Sequence, residues 1–298
     1  MINNFKNYDF HNLFFSSKSK NLVEKIILNI ALFSFLVHLG LIIASQNSLL
    51  GLNFSSDLLN NAIVAIYTPF SFILLYEVYL LVYYLPQSFT FYLSKQYEII
   101  TLIVFRRFFK DIASFDTSNI NLNTIINSQI FYDLIASLIL FFIVYLFNRN
   151  VVRNKNKKIL IENKGLRRFV AQKEFIAALL IPLFFLMAMY SFYSWSLGLF
   201  SYQPNIQIID LNHIFFEDFF NILIFVDIII LLLSFFYTQN FHKIIRNSGF
   251  IVSTIIIRIS FGVTGLTNLS LIVSALLIGL CVLVIHNLFE NLNDNNNS

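Results

Sequence analysis

LYEVYLLVYYLPQSFTFYLSKQYEIITLIVFRRFFKD, residues Leu75 to Asp111, sets one carboxylate, Glu77, in a long apolar run and two arginines, Arg106 and Arg107, in the next. A Pro-Gln-Ser turn at Pro86 to Ser88 separates the two runs. Charges at membrane depth are strongly unfavourable unless they are paired or face water. The arms of a helical hairpin can offer such partners to each other. Glu77 lies ten residues from Gln87 and Arg107 twelve from Lys95, which is about 15 and 18 Å at 1.5 Å per helical residue. The similar depths predict a Glu77–Arg107 pair. Downstream the arrangement recurs, with Asp227 in one apolar run and Arg258 in the next, and these are expected to form the second pair.

The composition sets the class around that hairpin. Hydrophobic residues make up 57% of the chain and charged ones only 12%, and mean hydropathy is +0.73. That is more apolar surface than one water-soluble core buries, so the chain reads as an all-α, polytopic membrane protein in contact with the lipid bilayer. A formal charge of +4 does not point to nucleic acid, because the basic residues cluster in short segments between apolar runs, where membrane proteins keep them. The single cysteine, Cys281, excludes a disulfide framework and a thiolate zinc site. Within its apolar run it is expected to be a small buried side chain.

Working outward, the polar segment 1–20 precedes an apolar run from about Ile26 to Ala44, too long for the core of a cleaved leader and long enough to span. Further spans are expected over about Asn61–Leu85 (broken by Pro69, stopped by Pro86), Tyr97–Phe115, Gln129–Phe147, Phe175–Phe200, Phe219–Thr238, Phe250–Val263 and Leu269–His286. Lys95 is placed in the turn before the third span, and Lys243 and Arg246 in the turn before the seventh. A Gly-Leu-Thr-Asn turn at Gly265 precedes the eighth. Between the halves lies a basic linker holding Arg149, Arg153, Lys155, Lys157, Lys158, Lys164, Arg167, Arg168 and Lys173. Every basic cluster then falls on one side of eight spans, which predicts that the linker and both termini are cytoplasmic; the expected location is the cytoplasmic (inner) membrane.

The halves match in spacing. Glu24 to Glu77 and Glu174 to Asp227 are both 53 positions, and Lys95 to Arg107 and Arg246 to Arg258 are both 12. LIASLIL from Leu134 lies beside LIVSALLI from Leu271. These matches predict two parallel four-helix repeats, residues 21–148 and 174–290, joined by the linker 149–173 and followed by a frayed, disordered tail at 291–298. Arg106 and Asp133 face uncharged Ile257 and Ser270 in this alignment and are expected to pair with each other.

Glu77, Gln87, Ser88, Lys95 and Arg107, with the basic stretch Arg149 to Lys158 after the fourth span, resemble the pattern of the PsiE-like (phosphate-starvation-inducible E) membrane proteins. Gln239, Phe241, His242, Arg246 and Arg258 give a looser match in the second half, with Asp227 in place of the glutamate. The resemblance implies a four-span unit present in two tandem copies. The family has no established biochemical activity, so it implies architecture more than function.

No HExxH, GxSxG, Walker A or cysteine–histidine spacing is present, and eight glycines leave no phosphate loop. Neither enzymatic activity, a cofactor nor a metal is expected. The charged residues are read first as ion pairs that fix helix register, and otherwise as an ion relay or as arginines snorkelling to headgroups. His38 is read as a hydrogen-bonded residue of the first span, and His242 as contacting headgroups or water. The expected function is a non-catalytic structural or scaffold subunit of a membrane complex, with a protein partner or a homo-oligomer. The alternative is a small-ion or proton channel or transporter that uses the carboxylate–arginine pairs. Anionic lipid headgroups are candidate ligands of the linker.

Overall fold

The computed structural model describes residues 15–46, 65–113, 129–155, 164–200, 211–237 and 240–295. Among these residues the protein is entirely helical: α1 Ser17–Gln46, α2 Tyr67–Tyr84, α3 Phe89–Ala113, α4 Gln129–Lys155, α5 Lys164–Phe200, α6 Leu211–Tyr237, α7 Phe241–Ser260 and α8 Gly265–Asn295. Helices are the expected solution for a lipid-facing chain, because each satisfies its own backbone polar groups where no water can. Five of them (α1, α4, α5, α6 and α8) are long and apolar enough to cross a bilayer. Large apolar side chains such as Phe33, Phe141 and Phe236 point outward along them.

The remaining three helices are shorter or more charged, and the packing shelters them. Within the first half α1 packs on α2, α2 on α3 and α3 on α4. The second half repeats that order, with α5 on α6, α6 on α7 and α7 on α8. The halves meet along α4 and α8 and, less extensively, where α2 touches α5. One apolar core joins α2, α3, α5 and α6, and the other joins α3, α4, α7 and α8. α3 contributes to both cores, so the helix with the most intramembrane charge is also the most enclosed.

α3 approaches the second half closely at Tyr97. Its ring lies against Phe147 of α4, and its hydroxyl is 2.5 Å from Ser253 Oγ of α7. Ser253 in turn donates to the Ala275 carbonyl of α8 at 2.6 Å. Gly279 makes room for that hydroxyl, since an added Cβ would overlap it. At the start of α8, Gly265 takes φ 66°, a conformation that a side chain disfavours, and its N–H donates to Gln129 Oε1 of α4 at 2.6 Å.

Several local expectations change. α2 is not broken by Pro69, which sits in its first turn where no intrahelical N–H bond is lost; Pro86 does follow its end. Lys95, Lys243 and Arg246 lie on helices rather than in turns, because α3 starts at Phe89 and α7 at Phe241. Leu266 to Asn268 belong to the first turn of α8 rather than to a preceding turn, and the acidic tail is helical through Asn295. The linker shortens from both ends, since α4 runs to Lys155 and α5 begins at Lys164. Cys281 is exposed on α8 rather than buried. The segments between expected spans around Asp57 and Asp116–Ser128 lie outside the described residues, and α6 begins at Leu211 rather than near Phe219, so Glu217 and Asp218 are helical.

Candidate functional site: ion pairs within the bundle

The first half forms two pairs, with the arginines exchanged relative to the sequence expectation. Glu77 is 3.1 Å from Arg106, not Arg107, and Arg106 also donates to the Phe70 carbonyl at 3.3 Å. Arg107 instead grips Asp133 through two bonds, Nε to Oδ2 at 2.5 Å and Nη2 to Oδ1 at 2.6 Å. Neither the Glu77–Arg107 nor the Arg106–Asp133 pairing forms.

Two physical facts produce the exchange. Adjacent helical residues point about 100° apart, so one arginine faces α2 while the next faces α4. α3 also begins six residues before Lys95, which places the arginines farther from the turn than a count from Lys95 suggests. Arg106 reaches Glu77 by pointing back toward the N-terminus of its helix, the ordinary direction for long helical side chains.

The Arg107–Asp133 pair ties both halves together. Arg107 Nη2 donates to Asn268 Oδ1 of α8 at 2.7 Å, and Asn268 Nδ2 donates to the Ser260 carbonyl at 2.5 Å. Gln129 Nε2 adds a bond to Asp133 Oδ1 at 2.7 Å. Asp133 stands in the second turn of α4. The two-pronged guanidinium–carboxylate geometry is the strongest form such a pair takes.

In the second half Asp227 and Arg258 meet at 2.7 Å, with side chains only 3% and 5% exposed. Two residues of α3 complete this centre: Tyr92 donates to Asp227 Oδ1 at 3.1 Å, and Gln96 Nε2 lies 3.5 Å from Oδ2. Tyr92 and Gln96 are four residues apart and therefore share a helix face. The acidic residue of the second half is thus enclosed partly by the first.

A second polar belt lies at the opposite end of the bundle from Arg107. Lys95 bonds Glu98 at 2.6 Å, Asn148 of α4 donates to Glu98 at 2.9 Å, and Ser94 bonds Asn148. Lys173, expected to be a linker charge, is instead buried. It donates to the Gln87 carbonyl in the α2–α3 turn, with Phe89 and Phe169 rings 5.1 and 5.5 Å from its ammonium. Lys20 reaches Tyr84 Oη at 3.0 Å, Tyr76 donates to Glu24 at 2.8 Å, and His38 contacts Thr68 at 2.5 Å.

His242, His286 and Glu290 also place ligand-type atoms within 4.8 Å of one another. Arg246 Nη1, however, lies 2.9 Å from His286 Nε2 and donates to its lone pair. A guanidinium there engages the electrons a metal would need and repels a divalent cation. The cluster suits a hydrogen-bonded cap between α7 and α8, with Glu290 offsetting the charge of Arg246, and does not suit a metal.

Sequence reasoning missed Tyr92, Gln96, Gln129, Asn268 and the burial of Lys173. The four-residue spacing of Tyr92 and Gln96 was the one available signal, because it gives a polar stripe on a helix that has lipid-facing positions to spare. Fold and site together define a multi-pass, all-α integral membrane protein in contact with the lipid bilayer, with ion pairs inside its helical bundle. Comparison with protein-family models, with characterised proteins and with solved structures finds no match.

Proposed function

We propose that this protein is a non-catalytic structural or scaffold subunit of a membrane complex. The observation that carries the reading is that Glu77, Asp133 and Asp227 are each held by an arginine from a different helix, and that the side chains of the Asp227–Arg258 pair are 3% and 5% exposed. A titrating ion site needs a hydrated approach to its carboxylate. A closed pair instead fixes helix register and joins helices.

The proposal includes eight crossings as two parallel repeats, in line with the PsiE-like resemblance. The matching order of helix contacts in the halves supports it. So does a contact between Asn287 Nδ2 and the Asn150 carbonyl at 3.3 Å. These two asparagines each stand 16 residues after the start of the matching stretches at Leu134 and Leu271. Contact between equivalent residues is what a near two-fold axis between α4 and α8 requires.

Basic residues of α1, α3, α5 and α7 gather at one end of the bundle through the contacts of Lys20, Lys95, Lys173 and Arg246. That end is assigned to the cytoplasmic side of an inner membrane, with both termini there and the linker against anionic headgroups. The outward apolar faces remain for lipid and for a protein partner or a second copy.

Proteoliposomes carrying a trapped pH-sensitive dye test the central reading. Under an imposed proton or sodium gradient the protein is expected to add no flux over protein-free vesicles. Flux that disappears in Asp227→Asn would establish the ion pathway and overturn the scaffold. Purification in mild detergent with mass spectrometry then identifies the partner chain, and a single homogeneous monomer would contradict a scaffold role.

A further inference from the structure

Among the described residues, three buried side-chain atoms have no hydrogen-bond partner, and two of them belong to the Asp227 centre. They are Gln96 Oε1, an acceptor, and Arg258 Nη1, a donor. Gln96 is 2% exposed as a whole residue and the Arg258 side chain 5%. The other polar end of each group reaches the same atom, Asp227 Oδ2, from which Arg258 Nη2 is 2.7 Å away and Gln96 Nε2 3.5 Å. The unpartnered donor and acceptor therefore belong to the two groups that converge on one carboxylate oxygen.

Turning the Gln96 amide over does not relieve the problem. It would set Oε1 against the Asp227 carboxylate and leave two N–H groups unpaired in place of one oxygen. The orientation with Oε1 free is the better one, and the free acceptor follows from it. Buried polar groups in native proteins nearly always find a partner, and where protein supplies none an ordered water does. Only a group that both donates and accepts satisfies this pair of atoms. A chloride would accept from Arg258 but leave Gln96 unmet beside a carboxylate that repels it. A metal cation would meet the guanidinium.

We propose that a water molecule is bound beside Asp227, accepting a hydrogen bond from Arg258 Nη1 and donating one to Gln96 Oε1. It is enclosed by α3, α6 and α7, and does not depend on the scaffold role. The Glu77–Arg106 pair differs: neither residue carries an unpartnered buried atom, so no such site accompanies it. The water completes the guanidinium's bonds and lets a long 3.5 Å contact from Gln96 persist.

Hydroxyl-radical labelling by a brief X-ray pulse reads bound water inside a membrane protein, because radicals form where water is. Tyr92 and Tyr97 are 5% and 0% exposed and serve as test and control, since Tyr97 is bonded to Ser253 in a core away from Asp227. On the intact chain in lipid nanodiscs, tandem mass spectrometry is expected to find Tyr92 modified at least several-fold faster than Tyr97. In Gln96→Leu the Tyr92 rate is expected to fall to that of Tyr97. Equal rates in the unmodified protein, or a Tyr92 rate unchanged by Gln96→Leu, would overturn the proposal. Should the variant not fold, a density map of the unmodified protein that resolves waters decides the matter. A peak within hydrogen-bond distance of both Gln96 Oε1 and Arg258 Nη1 supports the proposal, and an empty map at that position refutes it.

Discussion

The two halves solve one electrostatic problem in different ways. The first half carries two adjacent arginines on α3 and sends them apart, Arg106 to Glu77 of α2 and Arg107 to Asp133 of α4. The second half has one arginine at the corresponding place, Arg258, which turns back to Asp227 of α6, while its neighbour Ile257 is fully buried. Equal spacing of charges in sequence therefore does not carry equal partners. Arg107 and Arg258 each stand 12 residues after a basic residue, yet one bonds the following helix and the other the preceding one. The extra charge in the first half is taken up by Asp133 and Asn268, a bond that also reaches across to α8. The missing charge in the second half leaves Asp227 to be completed by Tyr92 and Gln96 from α3. Each half thus uses the other at the point where its own set of partners differs.

The largest effect is expected at the more enclosed pair. Arg258→Leu alone leaves Asp227 buried without its cation, and breaking such a pair costs about 3–5 kcal/mol. Unfolding of the purified protein by SDS titration in mixed micelles would measure it. Arg107→Leu is expected to cost less, because Arg107 is 24% exposed near one end of the bundle and Asp133 keeps its bond from Gln129. An equal loss at both sites would erase the contrast between the halves.

The exchange of arginines gives the next test. In double-mutant cycles Glu77→Gln should couple to Arg106→Leu by roughly 1–3 kcal/mol, and to Arg107→Leu by less than about 0.5 kcal/mol, as for residues without a shared contact. Coupling of Glu77 to Arg107 would restore the pairing that the spacing alone suggests.

That pairing shows where the sequence stops being informative. The hairpin, the charged residues and the need for partners were legible from Glu77, Arg106 and Arg107 in apolar runs. Which arginine meets Glu77 depends on the rotation of α3 about its axis and on where the helix begins. Lys95 reads as a turn residue beside Gln-Ser, whereas α3 already starts at Phe89, and that shift moves every depth counted from it. Asn268 and Lys173 were illegible for another reason. Each is a polar residue next to a segment boundary, read locally as a turn or a linker, and its partner lies more than 80 positions away. Asp227 with Arg258 was the simple case, because Arg258 is the one arginine within the facing apolar run, Arg246 lying near the start of α7.

A smaller effect separates the inter-half seam from the lipid-facing surface. Gly279→Ala places a methyl group on the Tyr97 hydroxyl, and overpacking of this kind costs about 1–3 kcal/mol. Gly40→Ala, on α1, meets nothing within 4 Å and is expected to stabilise slightly, by up to about 1 kcal/mol, through lost chain entropy. Paired thermal unfolding measurements in detergent check both signs. A neutral Gly279→Ala would mean that α3 does not press against α8 at Tyr97.

The double variant Asp227→Asn/Arg258→Leu, unfolded alongside the two single variants, tests most directly whether these charges are structural partners. Replacing a whole buried pair is typically near neutral, whereas removing one member is not. The double variant is therefore expected to recover most of the stability lost by Arg258→Leu. A double loss equal to the sum of the single losses would contradict the account, because it would mean that Asp227 and Arg258 stabilise the bundle independently of each other.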